Sequence, residues 1–392
     1  MIELIINKDE NKETICLVEN GKLIEKYQND ENTKKNRLEG NIYAGKVSDI
    51  VPGMQSAFID YGDARKGLLH LKDALPQVDV KNNSVIDKQI TDVLKQNQKV
   101  LVQIKKDSND KKGAKVSTHI SIPSKYVVFM PNTDIITISQ KIDNEERINE
   151  LLKLAKDSLN KNDGIIIRTS AETANNDEIK KDIQKCINKW KIIKENYEKS
   201  NPPKIIHYAE NVQSKILIDL KVDKVITNNK EEFEELKKII QIEEIKNVKL
   251  ELSPKSNLLD MYDLDSQISK SENRKVWLNC GGFITIDRTE ALTAIDVNTG
   301  KYTGKSDLEN TVFKVNKEAT IEIAKQLRLH DIGGIIIIDY IDMHNEENSQ
   351  KIENLLKEEL KKDRAKTQVE GFTKLNLMEM TRKHICSHLD EN

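Results

Sequence analysis

The chain has 392 residues, of which 33% are charged and 37% hydrophobic, and its formal net charge at pH 7 is −2. This length exceeds what one hydrophobic core usually serves, so we expect two to four domains. The sequence has no apolar run long enough to span a bilayer, and its first ten residues become charged too early for a secretory signal. We therefore predict a cytoplasmic protein with no membrane span. The charge neither favours nor excludes RNA, because 63 basic residues can collect on one face.

The first 36 residues contain short apolar segments around Ile5, Ile15 and Leu23, with an Asn-Gly pair at residues 20–21. This pattern predicts a β-meander with a hairpin at the Asn-Gly pair. Such a meander is too small to bury its own face. We therefore expect it to pair with strands from later in the chain.

Strand patterns separated by glycines follow, and they predict a small closed barrel. They cover residues 42–47, 56–62, 66–70 and 100–106. Phe58, in the second of these strands, is either a core residue or an exposed ring on which a base can stack. Lys112 precedes Gly113 in a lysine-rich loop that either contacts phosphates or is simply solvated.

The next region combines strand patterns at residues 126–131 and 164–167 with helix patterns near residues 146–159 and 177–198. Arg168 and Thr169 directly follow the second of these strands. A guanidinium and a hydroxyl side by side suit a terminal phosphate, but chemistry alone makes this a weak signal.

Residues 205–272 show no cluster of acidic residues at strand ends, so we expect no catalytic residue among them. Apolar segments at residues 216–218 and 224–226 predict strands in this region. A helix is predicted around residues 231–240.

The most informative stretch runs from Gly281 to Met343. Two apolar segments, residues 291–298 and 333–343, are joined by a helix pattern that begins with a capping box at residues 306–309. This order predicts two parallel strands joined by a crossover helix. The second segment is almost continuously apolar, so we expect its strand to be buried on both faces.

Each of these two strands ends near an aspartate, Asp296 in the first and Asp339 in the second. Ligands collect at the carboxyl ends of strands in such sheets, and two adjacent aspartates repel one another unless a cation lies between them. Mg²⁺ favours carboxylate and phosphate oxygens, and the amide of Asn298 can hold a carboxylate in place. The aspartates could instead cap strands or form turns. We favour metal-assisted phosphodiester hydrolysis.

This stretch resembles the ribonuclease E/G family. The similarity rests on residues 281–298, on Gln326-Leu327-Arg328-Leu329 and on residues 338–343, and it extends over nearly the whole chain. It implies that Asp296 and Asp339 hold a catalytic Mg²⁺ and that Asn298 orients the first of them.

The resemblance also implies roles for residues outside this stretch. Phe58 would stack a base, although family members often carry a second aromatic where this chain has Leu68. Lys112 would contact RNA. Arg168 and Thr169 would bind the monophosphate at the 5′ end of RNA, although residues 170–174 lack the glycines and lysine found in relatives.

Near the carboxyl terminus, Arg382 and Lys383 are candidate phosphate contacts, and the alternative is a solvated helix end. The sequence stops at Asn392, whereas relatives continue into a Cys-Pro-x-Cys zinc link between two protomers. The cysteines present are too widely spaced for a metal or disulfide framework, and they are Cys16, Cys186, Cys280 and Cys386. We expect a short form, either natural or truncated, with reduced thiols and no zinc, and a homodimer is left open.

The fold class that the resemblance implies is a multidomain α/β (α+β) protein. An RNase H-like subdomain would be formed by residues 1–36 and 205–272. Inserted between them would be an S1-type OB-fold RNA-binding domain at residues 37–120 and a 5′-phosphate sensor at residues 121–204. Residues 273–392 would form a DNase I-like catalytic subdomain.

We therefore predict a Mg²⁺-dependent endoribonuclease that acts in RNA processing and mRNA decay and is stimulated by a 5′-monophosphate. It would hydrolyse single-stranded RNA, namely mRNA and the precursors of rRNA and tRNA, and leave a 5′-phosphate and a 3′-hydroxyl. The alternative is a non-catalytic RNA-binding or scaffolding protein of the same fold. The presence of Asp296, Asn298 and Asp339 argues against that alternative.

Overall fold

A computed structural model of the chain describes residues 1–10, 12–30, 38–75, 88–108, 112–300 and 308–385. The chain divides into two units, one formed by Met1–Lys34 with Val212–Asn392 and the other by Lys35–Asn211. Within the described ranges, no helix is both long enough and apolar enough to cross a membrane.

The structure is mixed α/β. Its strands are β1 (Ile2–Lys8), β2 (Lys12–Glu19), β3 (Lys22–Asp30), β4 (Ile42–Val51), β5 (Ser56–Asp60), β6 (Gly67–His70), β7 (Lys99–Lys106), β8 (Lys115–Ser117), β9 (Ile122–Pro123), β10 (Val127–Met130), β11 (Ile136–Ile138), β12 (Gly164–Ile167), β13 (Lys204–His207), β14 (Lys224–Thr227), β15 (Lys249–Leu252), β16 (Lys275–Trp277), β17 (Phe283–Arg288), β18 (Leu292–Asn298), β19 (Gly334–Asp339), β20 (Thr367–Phe372) and β21 (Leu377–Arg382). Its described α-helices are α1 (Leu71–Ala74), α2 (Ile90–Val93), α3 (Glu145–Ser158), α4 (Asn176–Lys199), α5 (Val212–Asp219), α6 (Lys230–Ile242), α7 (Leu264–Ser271), α8 (Leu308–Leu329) and α9 (Glu346–Lys361).

One sheet of the first unit joins the predicted amino-terminal meander to later strands, in the order β15-β14-β1-β2-β3. The predicted hairpin is confirmed, because Asn20 and Gly21 both have positive φ between the antiparallel strands β2 and β3. Strand β14 pairs with β1 in parallel, as expected for a meander completed from downstream.

The strand predicted at residues 216–218 is wrong. These residues lie in α5, and Ile216, Leu217 and Ile218 are all buried there. A short apolar run reads the same in a buried helix as in a buried strand, so the sequence pattern could not separate the two.

The second unit contains the predicted barrel. Strands β4, β5, β6, β8 and β7 pair in that order, and a further pairing between β4 and β7 closes the barrel, which is consistent with an OB-like fold. Alternating residues such as Val47, Ala57 and Ile59 point inward and fill its core. A separate four-stranded sheet, β11-β12-β10-β9, packs against α3 and α4.

The second sheet of the first unit has the order β16-β17-β18-β19-β21-β20. The predicted strand–helix–strand unit is confirmed, because β18 and β19 are parallel and α8 connects them. Helices α8 and α9 pack on one face of this sheet. The face opposite these helices is called the open face below.

Burial of β19 on both faces is not observed. Ile336 and Ile338 are buried under the helices, but Ile335 on the open face is 51% exposed. The first two residues of the predicted capping box lie outside the described residues. Its Glu309 accepts hydrogen bonds from the backbone N–H groups of His344 and Asn345, at the start of α9.

Candidate active site

Asp296 and Asp339 lie side by side on the open face of this sheet. They are register partners in the parallel strands β18 and β19, so their Cα atoms are one strand spacing, about 4.8 Å, apart. Ile295 and Ile338, which precede them, point into the core beneath the helices. Side chains alternate along a strand, and both aspartates are accordingly exposed.

Asn298 lies two residues beyond Asp296 and therefore on the same face. Its side-chain Nδ2 donates a hydrogen bond to Asp296 Oδ2 at 2.5 Å. This contact fixes the direction in which the Asp296 carboxylate points. It is the contact that the predicted orienting role requires.

The electrostatics of the pair favour a cation. The pKa of the Asp339 carboxyl is raised above its usual range, first by partial burial at the strand end and then by the charges of Asp296 and Asp342. Asp342 lies near enough to contribute and accepts a hydrogen bond from Asn376 Nδ2 at 3.5 Å. A divalent cation would relieve the repulsion that these carboxylates exert on one another.

The donor set fits a hard ion that keeps most of its own water. The described residues include no group of three or more His, Cys, Asp or Glu side chains placed to hold a metal. Mg²⁺ nevertheless needs only one or two protein carboxylates, since water and phosphate oxygens complete its shell. Asp296 and Asp339 present two exposed carboxylates on one sheet face, which matches this requirement.

The barrel places Phe58 on its outer surface. Ala57 and Ile59 on either side of it are buried in the barrel core, whereas Phe58 is only partly buried and lies outside that core. Its register partner on β6 is Leu68, which is also partly buried. The two side chains form a small apolar surface on which one aromatic ring is available.

Lys112 is exposed and stands next to a glycine that the fold requires. A Cβ atom on Gly113 would lie 2.1 Å from the backbone oxygen of Lys66, so no other residue fits there without a shift. Lys66 itself pairs with Asp49 at 2.9 Å, and Lys115 pairs with Asp73 at 3.0 Å. The predicted lysine-rich loop before Gly113 is described only in part, because residues 109–111 lie outside the described ranges.

Arg168 and Thr169 follow β12 and are both partly buried and hydrogen-bonded. Arg168 Nη1 donates to the backbone oxygen of Ser124 at 2.6 Å. The Thr169 hydroxyl contacts the Ser139 hydroxyl at 2.9 Å. No sequence pattern pointed to Ser139, because it reaches Thr169 through the parallel pairing of β11 with β12 across 30 residues of chain.

A sequence model of the Ribonuclease E/G family matches residues 121–385. The chain is 34% identical to Ribonuclease G of Escherichia coli (strain K12) over 390 residues, which cover 97% of this chain and 79% of the relative. The chain belongs to the Ribonuclease E/G family.

Other members of the family give similar values. Ribonuclease G of Haemophilus influenzae is 35% identical over 398 residues, covering 99% of this chain and 81% of the relative. Ribonuclease E of Escherichia coli (strain K12) is 34% identical over 403 residues, covering 100% of this chain and 38% of that longer relative. The match to Ribonuclease G thus accounts for most of both sequences.

Arg382 is not placed to contact a phosphate. Its guanidinium is buried and pairs with Asp331 at 2.7 Å and with Asp363 at 2.8 Å. It also donates to the backbone oxygen of Ile332 at 3.0 Å. The predicted contact of Arg382 with RNA is therefore corrected to a structural role.

Lys383, the next residue, is exposed and follows the last residue of β21. Its backbone N–H donates to Lys366 at 2.8 Å, which ties the end of this strand to its neighbour. The alternative of a solvated helix end is wrong for both residues, because residues 377–382 form a strand.

Proposed function

We propose that the protein is an endoribonuclease that hydrolyses single-stranded RNA with Mg²⁺ and leaves a 5′-phosphate and a 3′-hydroxyl. The observation that carries this proposal is the pairing of Asp296 with Asp339 on an open sheet face. It occurs in a chain of the Ribonuclease E/G family, whose compared members are named Ribonuclease G and Ribonuclease E.

In this proposal Asp296 and Asp339 hold the Mg²⁺ ion and Asn298 positions the first of them. When bound, the ion supplies positive charge that offsets the charge developing on the phosphate oxygens. The Asn298 amide keeps Asp296 pointing toward the ion, because its hydrogen bond occupies one carboxylate oxygen. The exposure of both aspartates leaves room for a phosphodiester strand to approach.

The five-part architecture of the family belongs to the same proposal. The closed barrel would be an S1-type domain that holds single-stranded RNA through Phe58 and Lys112. Arg168 and Thr169 would sense the 5′ end, and Lys383 would contact phosphates. Substrates would be mRNA and the precursors of rRNA and tRNA in the cytoplasm, no zinc would be bound, and the oligomeric state stays open between a monomer and a homodimer.

One assay tests the reaction. The protein is incubated with a short A/U-rich RNA that carries a 5′-monophosphate, with Mg²⁺ and with a chelator in its place. Internal cuts that need Mg²⁺ and carry a 5′-phosphate support the proposal. Tight binding with no cleavage at any Mg²⁺ concentration contradicts it and favours the non-catalytic RNA-binding alternative.

Phe58→Ala is expected to weaken binding of single-stranded RNA by about 1–3 kcal/mol, the usual contribution of one stacked base. Leu68 offers no second ring that could compensate for the loss. Fluorescence anisotropy of a labelled oligonucleotide measures the affinity, and Phe58→Tyr is the matched control that keeps an aromatic face. A large drop in the melting temperature of Phe58→Ala would instead identify the ring as a packing residue.

Arg168→Ala is expected to erase a preference for 5′-monophosphate RNA and to leave cleavage of 5′-hydroxyl RNA unchanged. The guanidinium can donate two parallel hydrogen bonds to a terminal phosphate, which a hydroxyl end lacks. Initial rates on monophosphate, triphosphate and hydroxyl RNAs measure the preference. Thr169→Val, which removes only the hydroxyl, should reduce the preference less. Equal wild-type rates on all three RNAs would contradict the sensor role.

A further inference from the structure

An exposed aromatic pair lies at the edge of the sheet that carries the two aspartates. Trp277 of the edge strand β16 is 59% exposed and contacts Phe283 of β17, with ring centroids 5.3 Å apart in an edge-to-face arrangement. Lys275 Nζ lies 4.2 Å from the Trp277 centroid and 3.5 Å from the Phe283 centroid. One ammonium group is therefore held over both rings.

These three side chains share the open face with the aspartates. Val276 and Ile284 pack into the core under the helices, so Lys275, Trp277 and Phe283 point the other way. Phe283 is the register partner of both Trp277 and Asn298, which places Trp277 two strands, about 10 Å, from Asn298.

The neighbouring row of the same face contains the acidic pair. Thr285 is the register partner of Lys275 on one side and of Asp296 on the other, and Asp296 in turn pairs with Asp339. The backbone positions of Lys275, Asp296 and Asp339 thus lie along one line across the sheet, while the Lys275 ammonium group reaches over the rings of the next row. A polyanion that reaches these carboxylates is repelled by them, so groups beside them must hold it.

We propose that Lys275, Trp277 and Phe283 form a subsite for one nucleotide of single-stranded RNA beside the cleaved phosphate. Trp277 offers a face on which any base can stack, and Lys275 contacts the adjoining phosphate. This inference rests on the proposed function, because it takes RNA as the substrate of the aspartate pair. The alternative is that Trp277 and Lys275 only shield the edge of the sheet.

Tryptophan fluorescence tests stacking directly and without cleavage. The chain has two tryptophans, so Trp190→Phe leaves Trp277 as the single reporter and Trp277→Phe leaves Trp190. Both variants are titrated with a hexanucleotide RNA in the presence of a chelator. We expect quenching in Trp190→Phe, little change in Trp277→Phe, and no quenching by an oligomer of abasic sugar phosphates.

Substitutions then separate stacking from packing. Trp277→Leu keeps an apolar cover over Phe283 but has no aromatic face, so affinity for the hexanucleotide should fall about 5- to 150-fold. Trp277→Phe should retain most of the affinity. Lys275→Gln should weaken binding and reduce its dependence on salt. Melting temperatures of these variants should match the wild type.

The possible outcomes separate the subsite from the nuclease proposal. Equal quenching in both single-tryptophan variants, or wild-type affinity in Trp277→Leu, would show that Trp277 only shields the sheet edge. Quenching of Trp277 in a protein that cuts no RNA would support the subsite and contradict the nuclease proposal. RNA cleavage that is normal in Trp277→Leu, with no quenching, would contradict the subsite alone.

Discussion

Asp296→Asn and Asp339→Asn are each expected to reduce RNA cleavage at least thousandfold while leaving RNA affinity nearly unchanged. An asparagine keeps the size of the side chain but is a far weaker ligand for a hard divalent ion. Loss of the ion removes about 4 kcal/mol or more of transition-state stabilisation, whereas binding of the RNA rests largely on other surfaces. Single-turnover rates at saturating Mg²⁺, together with oligonucleotide affinities, measure both quantities.

The same face of the sheet offers a matched control for these variants. Glu379 is exposed on β21 and is the register partner of Ile337 on β19. Glu379→Gln therefore removes one negative charge from β21, the strand next to the one that carries Asp339. Cleavage by this variant should remain near the wild-type rate. Near wild-type turnover in Asp296→Asn or Asp339→Asn would remove the basis of the proposed metal site.

Asn298→Ala should have a smaller effect, a 10- to 100-fold loss in metal affinity or rate, as is usual for residues that orient a ligand. The variant loses the hydrogen bond to Asp296 but keeps both carboxylates. Excess Mg²⁺ should therefore restore part of the activity in Asn298→Ala and none in Asp339→Asn. A dependence on Mg²⁺ that is identical in Asn298→Ala and the wild type would contradict the orienting role.

The sequence predicted the neighbourhood of the aspartates because local patterns determine it. An apolar run, a helix of regular period and a second apolar run allow few arrangements other than two parallel strands with a crossover. The alternation of Ile295, Asp296 and Val297 then turns the aspartate away from the core. What the pattern does not contain is the register that sets Asp339 directly opposite Asp296.

The sequence could not predict which charged residues are buried. Arg382 and Lys383 are adjacent and look equivalent in the sequence, yet one is buried and the other exposed. The difference depends on Asp331 and Asp363, which come from segments 51 and 19 residues away. The exposed Ile335 has a similar origin, because the described helices α8 and α9 pack on the opposite face of the sheet.

Arg382→Met is expected to lower the free energy of unfolding by about 3–5 kcal/mol, the usual cost of removing one partner from a buried ion pair. The substitution would leave the buried carboxylates of Asp331 and Asp363 without their shared cation. Methionine fills similar space, so the loss would come from charge and hydrogen bonding rather than from a cavity. Denaturation in urea measures the change.

The adjacent residue provides the control, because Lys383→Met removes the same type of charge from an exposed position. Its free energy of unfolding should change by less than about 0.5 kcal/mol, as is usual for surface substitutions.

Both acidic partners of Arg382 also accept hydrogen bonds from the backbone. Asp331 accepts the N–H of Ile385 at 3.0 and 3.1 Å, and Asp363 accepts that of Ala365 at 2.8 Å. Losing the cation should therefore loosen both segments, seen as faster amide hydrogen exchange at residues 363–365 and 385. If Arg382→Met instead kept full stability and lost only RNA affinity, the guanidinium would be a phosphate contact after all.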